Sequence, residues 1–427
     1  MISSGDLDFL QDLAGAVVES SRVRQGESIG QFGPNITGKK LIRPGGRNCY
    51  PAFWIRDFAM SLESGLISRE EQLDALLLTA EHQAIIDWHT PSGSFVPRGA
   101  IADHISFDGK PIFFPGTIDD YEGQGGNKWG YLPSLDDHFY FIEMAWHLII
   151  PGNDKRLLEL TIKGISLAER LEAAFAVPPT DADGILVCCD EANRGVSFGF
   201  SDSITHTGNL LFCSLLRCRA ARQLGEIFRV KGDYDKSESY KHIASRISEN
   251  IPQVFSNADG LLCSSTGKSS QPDVWGSAFA VYSELLLESV SVVVSKALTQ
   301  ALEHGTIAWK GNIRHVPEDA DFNAATAWEI ASTAKNTYQN GAYWGTATGW
   351  VAYAVTQVNE VLAADLIREY IKELREGDFR QGAEFGSPWE CIHYDGDYKQ
   401  NPVYMTSVTC PLIAFRRLYS IRLKILT

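Results

Sequence analysis

Glu70-Glu71-Gln72-Leu73-Asp74-Ala75-Leu76-Leu77-Leu78-Thr79-Ala80-Glu81-His82-Gln83-Ala84-Ile85-Ile86-Asp87-Trp88 puts Leu73, Leu76, Leu77, Ala80, Ala84 and Trp88 on one stripe. That three-and-four spacing is the period of an α-helix with one buried face. The pattern recurs at 6–22, 55–67, 136–150, 156–173, 206–228, 274–288, 290–303, 322–334, 341–357, 359–375 and 402–421. Tyr240, Ile243, Ile247, Ile251 and Val254 form one further stripe. About a dozen helices follow, with end errors of a few residues.

Extended runs are brief and sit between the helices. Asp183–Cys188 and Asp259–Cys263 each place an Asp-Gly turn before a short strand-like run, and Ser92–Pro97 is a looser version. No Pro/Ser-rich linker or charge block divides the chain. The expectation is therefore an all-α fold over residues 1–427 as a single domain. Helical hairpins would close into an α/α toroid, with short β-hairpins in the connecting loops; a stacked two-domain helical array is the alternative. Two long connections, 89–135 and 376–401, are aromatic and Gly-rich rather than low in complexity, and loops of that length usually carry function. They read as pocket walls, with Gly-rich 122–127 as a lip.

Hydrophobic residues make up 44% of the 427 and charged residues 21%, ordinary values for a chain with a large core. The net charge of −15 argues against a nucleic-acid footprint, which needs clustered Lys and Arg, and against anionic membranes. Neutral small molecules fit better. Ile142–Ile150 and Leu285–Val294 are too short or too interrupted to span a bilayer. Met1-Ile2-Ser3-Ser4-Gly5-Asp6 lacks the basic start and apolar core of a signal peptide. Eight cysteines without a CxxC read as reduced, buried thiols of a cytoplasmic protein. No HExxH, His-x-His or carboxylate-rich calcium loop is present, so neither metal nor cofactor is expected. Nothing in the sequence sets an oligomeric state.

The densest chemistry lies in Asn48-Cys49-Tyr50-Pro51-Ala52-Phe53-Trp54-Ile55-Arg56-Asp57-Phe58-Ala59-Met60. Arg56 and Asp57 fall where a helix starts, and an Asp that accepts two sugar hydroxyls beside an orienting Arg is a sound binding device. The same pair also suits a helix-start carboxylate with a surface partner. Trp54, Trp129, Trp275, Trp309, Trp344 and Trp389 lie at or near loop–helix junctions, whereas Trp146 and Trp328 look like helix interior. Indole faces pack on sugar C–H faces while carboxylates, Arg and amides read the hydroxyls. His138, His206 and His393 read as loop or core histidines.

The aromatic-x-Arg-Asp segment resembles that of the six-hairpin glycosidases, a superfamily that includes glucoamylases, trehalases, processing α-glucosidases and exo-acting α-mannosidases. Leu132–Tyr140 resembles their Asp-bearing loop-to-helix start, Phe200–Asn209 the segment that often holds the acid, and Asn340–Trp350 a late aromatic-Gly helix start. The likeness spans residues 45–415, and the Glu-Ser-Gly-x-Asp string of the processing glucosidases is not found. The resemblance implies an (α/α)6 barrel and an exo-acting glycoside hydrolase that removes a terminal sugar from an oligosaccharide or glycoside with inversion. Such hydrolysis needs one carboxyl to protonate the leaving oxygen and another to activate water. Asp202 is the expected acid, in the aromatic, uncharged setting of Phe198 and Phe200, although Ser201-Asp202-Ser203 also suits an N-cap of the 206–228 helix. Glu390 is the expected base, because the superfamily places the base late in the chain. Asp137 and Glu384 are the substitutes. Trp54, Arg56, Asp57, Arg98, Asp137, Trp275, Trp344 and Trp389 are the expected substrate binders. The rivals are a sugar epimerase or isomerase, a disaccharide phosphorylase, and a non-catalytic sugar-binding protein.

Overall fold

The computed structural model describes residues 2–47, 49–90, 93–114 and 130–426, the last five by backbone alone. Asn48, Ser92, Trp129 and the 122–127 lip lie outside them. The helices are α1 (Ser4–Ser21), α2 (Ile55–Met60), α3 (Arg69–His82), α4 (Asp137–Ile149), α5 (Arg156–Glu159), α6 (Leu167–Ala176) and α7 (Leu211–Lys231). They continue with α8 (Tyr234–Phe255), α9 (Val274–Tyr282), α10 (Glu288–Glu303), α11 (Thr348–Thr356), α12 (Glu360–Glu376) and α13 (Thr406–Leu426).

Local chemistry sets their ends. Ser3 with Asp6, Ser68 with Glu71 and Ser166 with Glu169 form reciprocal capping boxes at α1, α3 and α6, each satisfying two otherwise orphaned donors. Gly232, left-handed at φ 90°, terminates α7. An inner ring closes as α2, α4, α7, α9, α11 and α13, each packed on the next and α13 back on α2. Inner helices α9 and α11 are apolar nearly all round, as in Val274–Val281 of α9, every residue of which is buried. The outer layer packs on this ring: α3 and α6 lie on α4, α8 on α7, α10 on α9 and α11, α12 on α11, and N-terminal α1 on C-terminal α13. Among the described residues, six inner and six outer helices, with single-turn α5 as an extra, make the toroid.

Four sequence readings change. The 70–88 stripe is helical only to His82, and Trp88 lies instead on a short strand, Trp88–His89 against Phe95–Val96. The 156–173 helix is broken by a hairpin, Thr161–Ile162 against Ile165–Ser166, turning on Lys163 and Gly164 at φ 48° and 81°; two positive φ values are what a two-residue hairpin turn demands. Residues 322–334 form no helix. There the Asn340 side chain accepts from the Ala327 amide and donates to the Thr333 carbonyl, while Asn323 accepts from Ala325 and Thr326. These bonds replace a helical ladder, and Trp328 plugs a small satellite core with Ile204, Val316 and Ala327. The 341–357 segment begins as a strand, Tyr343–Trp344, before α11 starts at Thr348.

That strand belongs to a five-stranded antiparallel sheet ordered as Ala308–Trp309, Asn312–Arg314, Tyr343–Trp344, Trp389–His393 and Tyr398–Pro402, more than the short hairpins expected. A second sheet joins Ala52–Trp54, His104–Ser106 and Pro111–Ile112. All eight cysteines are free and six are buried. Among the described residues no helix is long and apolar enough to cross a membrane.

Gly349 sits where α11 meets α13; a Cβ there would lie 2.5 Å from the Ala414 Cβ. Gly15, inside α1, has open space around it. Gly15→Ala is expected to stabilise the protein by about 0.5–1 kcal/mol through helix propensity. Gly349→Ala is expected to destabilise it by about 1–3 kcal/mol, because overpacking outweighs the same propensity gain. Urea-unfolding midpoints check both; a gain for Gly349→Ala would show that the inner ring is loosely packed.

Candidate functional site

Register brings the first cluster together. Trp54 pairs with His104 and Phe53 with Ile105, which sets Asp103 beside the start of α2, where the Ile55 amide donates to the Asp103 carbonyl. Arg56, 3% exposed, then meets three carboxylates. Its Nη2 donates to Asp103 at 2.7 Å and Asp137 at 3.0 Å, and its Nε to Asp136 at 2.9 Å. The guanidinium passes under Gly199, where a Cβ would fall 1.8 Å from Nε, and the Gly199 amide donates to the same Asp136 oxygen at 3.0 Å. Only glycine fits there.

Above this cluster opens a cavity of about 490 Å³, within the usual range for small-molecule sites. Trp54, Arg56 and Asp57 line one side, with Asp103 and His104. The His104 ring stacks on Trp54 at 4.1 Å and bonds Asp103 through Nδ1 at 2.5 Å. Asp202 and Glu390 line the same cavity. Both long connections contribute, the first through Asp103, His104 and Phe114, the second through Glu390, Tyr398 and Gln400.

Glu390 is buried on the Trp389–His393 strand. The Tyr50 hydroxyl donates to its Oε1 and the Asn401 amide to its Oε2, each at 2.5 Å. Burial pushes its pKa up to about 8, with the Asp57 and Asp202 charges adding and the Tyr50 and Asn401 bonds opposing. Asp202 closes a single 3-10 turn, Gly199–Ser201, nine residues before α7 begins, so it does not cap that helix. Its Oδ1 accepts from Gln339 Nε2 at 2.8 Å. Burial lifts its pKa to about 7 against the opposing Arg56 charge. Asp57 accepts from the Tyr404 hydroxyl at 2.7 Å and is raised by burial to about 6. Asp103 goes the other way: Arg56 and His104 outweigh its burial and hold it low.

No family model and no curated protein sequence matches the chain. Solved structures do. A glucoamylase from Saccharomycopsis fibuligera aligns over 99% of this chain and 97% of its own, with TM-score 0.61 at 12% identity. A rhamnosidase from Klebsiella oxytoca with rhamnose bound aligns over 98% of this chain and 65% of its own, with TM-score 0.58 at 12% identity. A glycosidase variant in complex with glucose aligns over 98% and 99%, with TM-score 0.52 at 14% identity. The fold is the helical toroid that these solved structures share.

Within that fold, five of the expected residues sit away from the cavity lining. Arg98 is exposed on a separate cavity of about 360 Å³ beside Gln83 and Arg170. Asp137 is wholly buried in the first turn of α4, spent on Arg56. Trp275, stacked on His315 at 4.0 Å, and Trp344, edge-on to Phe200 at 5.6 Å, back the Phe200 wall without reaching the space. Trp389 neighbours Glu390 on a strand, where successive side chains point to opposite faces, so one reaches the cavity and the other does not. Sequence reasoning did not single out Tyr50, Asp103, His104, Gln339, Asn401 or Tyr404. Tyr50 stood inside the quoted Asn48–Met60 stretch, and Asn401 lies eleven residues past Glu390; the others had no local signal.

Arg56→Ala is expected to destabilise the protein by about 3–5 kcal/mol at neutral pH, because three buried carboxylates lose their counter-charge. Asp137 is already raised by burial, whereas Asp103 is held low by Arg56 and His104; without the guanidinium the folded-state pKa of Asp103 rises above the unfolded value of about 4. Stability relative to wild type is then retained below that value and lost as pH rises through the raised folded pKa. The urea-midpoint deficit should shrink between pH 8 and pH 4.5; an equal deficit at both would mean the Arg56 charge is not what holds the cluster.

Proposed function

We propose that the protein is an exo-acting glycoside hydrolase that removes a terminal sugar from an oligosaccharide or glycoside by an inverting two-carboxylate mechanism. The observation that carries this reading is that Asp202 and Glu390 line one cavity together with Trp54, Arg56 and Asp57. Trp54 offers an indole for a sugar face, and Asp57, steadied by Tyr404, accepts hydroxyl protons. The hydroxyl-bearing Ser203, Ser332, Thr333 and Thr337, with Gln400 and Asn401, line the same cavity and suit a neutral polyhydroxylated substrate.

The two carboxyls divide the work by their partners. Both oxygens of Glu390 receive donors, which oppose the burial that raises it to about 8 and suit a base that draws a proton from water. Asp202 receives one amide at Oδ1, leaving Oδ2 to carry the proton an acid must deliver to the leaving oxygen. In an inverting enzyme that proton transfer and attack by water on the opposite face occur together, and Glu390 takes the proton the water sheds.

The productive state needs Asp202 protonated and Glu390 ionised. Activity falls on the acid side as Glu390 gains its proton and on the alkaline side as Asp202 loses its own. With Asp202 raised to about 7 and Glu390 to about 8, the shared proton rests mainly on Glu390 and the productive arrangement is the minority one; kcat/KM is still expected to be bell-shaped around about pH 7.5, its limbs belonging to the pair. A maximum near pH 4–5, where ordinary carboxylates would put it, would contradict that setting.

A panel of aryl glycosides identifies the sugar, and early-time NMR of the released anomer reads the stereochemistry. Asp202→Asn and Glu390→Gln are each expected to lower kcat by a factor on the order of 10² to 10⁴. Hydrolysis surviving both substitutions would remove the pair from the mechanism, and sugar binding without any cleavage by wild type would make the protein a binding module.

A further inference from the structure

Gln339 touches neither solvent nor the cavity lining, yet its amide uses its full hydrogen-bonding capacity on the segment that carries Asp202. Its Oε1 accepts from the Ser203 amide and the Ser203 hydroxyl, both at 2.7 Å. Its Nε2 donates to the Gly199 carbonyl at 3.1 Å and to Asp202 Oδ1 at 2.8 Å. Two accepted and two donated bonds exhaust what a primary amide offers in the plane of its group. The orientation is also forced. Turning the amide over would set its NH2 against the Ser203 N–H and its oxygen against the Gly199 carbonyl and the Asp202 carboxyl, putting like groups face to face.

We propose that Gln339 is a positioning residue for Asp202, clamping the Gly199–Ser203 turn from both ends and dictating which carboxyl oxygen carries the acid proton. The inference rests on the glycosidase reading above. Because Nε2 always donates to Oδ1, a protonated Asp202 must carry its hydrogen on Oδ2, and the clamp points that oxygen in one direction. Arg56 lies beneath the same turn at Gly199, so the acid is fixed from below by the guanidinium and from behind by the amide. The Gln339 bond also lowers the Asp202 pKa against burial.

A residue that acts through the acid leaves a signature that a merely structural residue does not. Dinitrophenyl glycosides depart as stable anions and need no proton, whereas alkyl glycosides depend on one. Gln339→Met keeps the length of the side chain and removes all four bonds. With the sugar that wild type cleaves best, kcat/KM for the alkyl glycoside is expected to fall about 10- to 100-fold, a large part of what an acid contributes. The dinitrophenyl glycoside should fall less than about 3-fold on the same argument. The pH profile, whose limbs belong to the Asp202–Glu390 pair, should shift upward as a whole. Should Gln339→Met not fold, Gln339→Glu keeps the shape and the acceptor for Ser203 while turning an oxygen toward Asp202, and the same split and upward shift are expected. Equal losses on both leaving groups, or an unmoved pH profile, overturn the proposal. If wild type cleaves neither glycoside, the hydrolase reading falls first and this inference with it, an outcome separable from a variant that behaves like wild type.

Discussion

A single buried cation organises this molecule. Arg56 brings together Asp103 from the connection after α3, Asp136 and Asp137 from the start of α4, and, through Asp136, the Gly199 turn. Three segments that are remote in sequence therefore meet one guanidinium, which alone among side chains offers a planar fork of five N–H donors and keeps its charge when desolvated. Burying so many charges is costly, and the arrangement survives because each carboxylate finds an N–H. Its structural return is precision: the rim of the cavity is built on a group that cannot rotate or lose its proton.

The electrostatics of the cavity follow from that cluster. Asp103 is held low because it touches the cation and His104, whereas Asp57, Asp202 and Glu390 are raised because burial is only partly offset by their neighbours. Carboxyls within one small space thus take different protonation states near neutral pH. The spread arises from partners rather than from residue type, and it leaves Asp202 and Glu390 close enough in pKa to exchange one proton between them. Tyr50 and Asn401 mark Glu390 as an acceptor, and Gln339 leaves Asp202 one oxygen for a proton.

Much of this was legible in the sequence, for a physical reason. A helix buried on one face repeats its apolar positions in the chain itself, so the stripe at 240–254 yielded α8 and the first part of the one at 70–88 yielded α3, which stops at His82, and the ring followed from having about a dozen of them without a break. Trp54, Arg56 and Asp57 were visible because three functional groups are adjacent in sequence. What sequence could not show is pairing across distance. Asp103 reaches Arg56 through a strand register 47 residues away, and Gln339 reaches Asp202 across 137. Apolar content also misled: Ala327, Trp328 and Ala331 mimic a helical stripe at 322–334, but Asn323 and Asn340 satisfy the backbone locally and the segment becomes part of the site wall. The tryptophans failed for a related reason, since Trp275 and Trp344 serve the cavity by packing behind Phe200, and a sequence cannot tell a platform from its support.

The backbone around Glu390 carries a further trace of that trade between stability and placement. Tyr50, Tyr338, Asn401 and Val403 all adopt left-handed φ, at 58°, 45°, 46° and 62°. Such a conformation is mild for Asn but costly for a β-branched residue such as Val403. Three of the four line the cavity, and Val403 lies between Asn401, which grips Glu390, and Tyr404, which grips Asp57. The strain is tolerated because the surroundings leave no alternative: the Val403 carbonyl accepts from Gly46, its amide donates to Gly386, and its side chain is wholly buried. A relaxed backbone at 401–404 would be cheaper for the fold, but it would swing one or both of those side chains off their carboxyls. The path from residue 401 to 404 is thus governed by where two carboxyls need their donors, and the packed ring beneath supplies the stability that the strained path consumes.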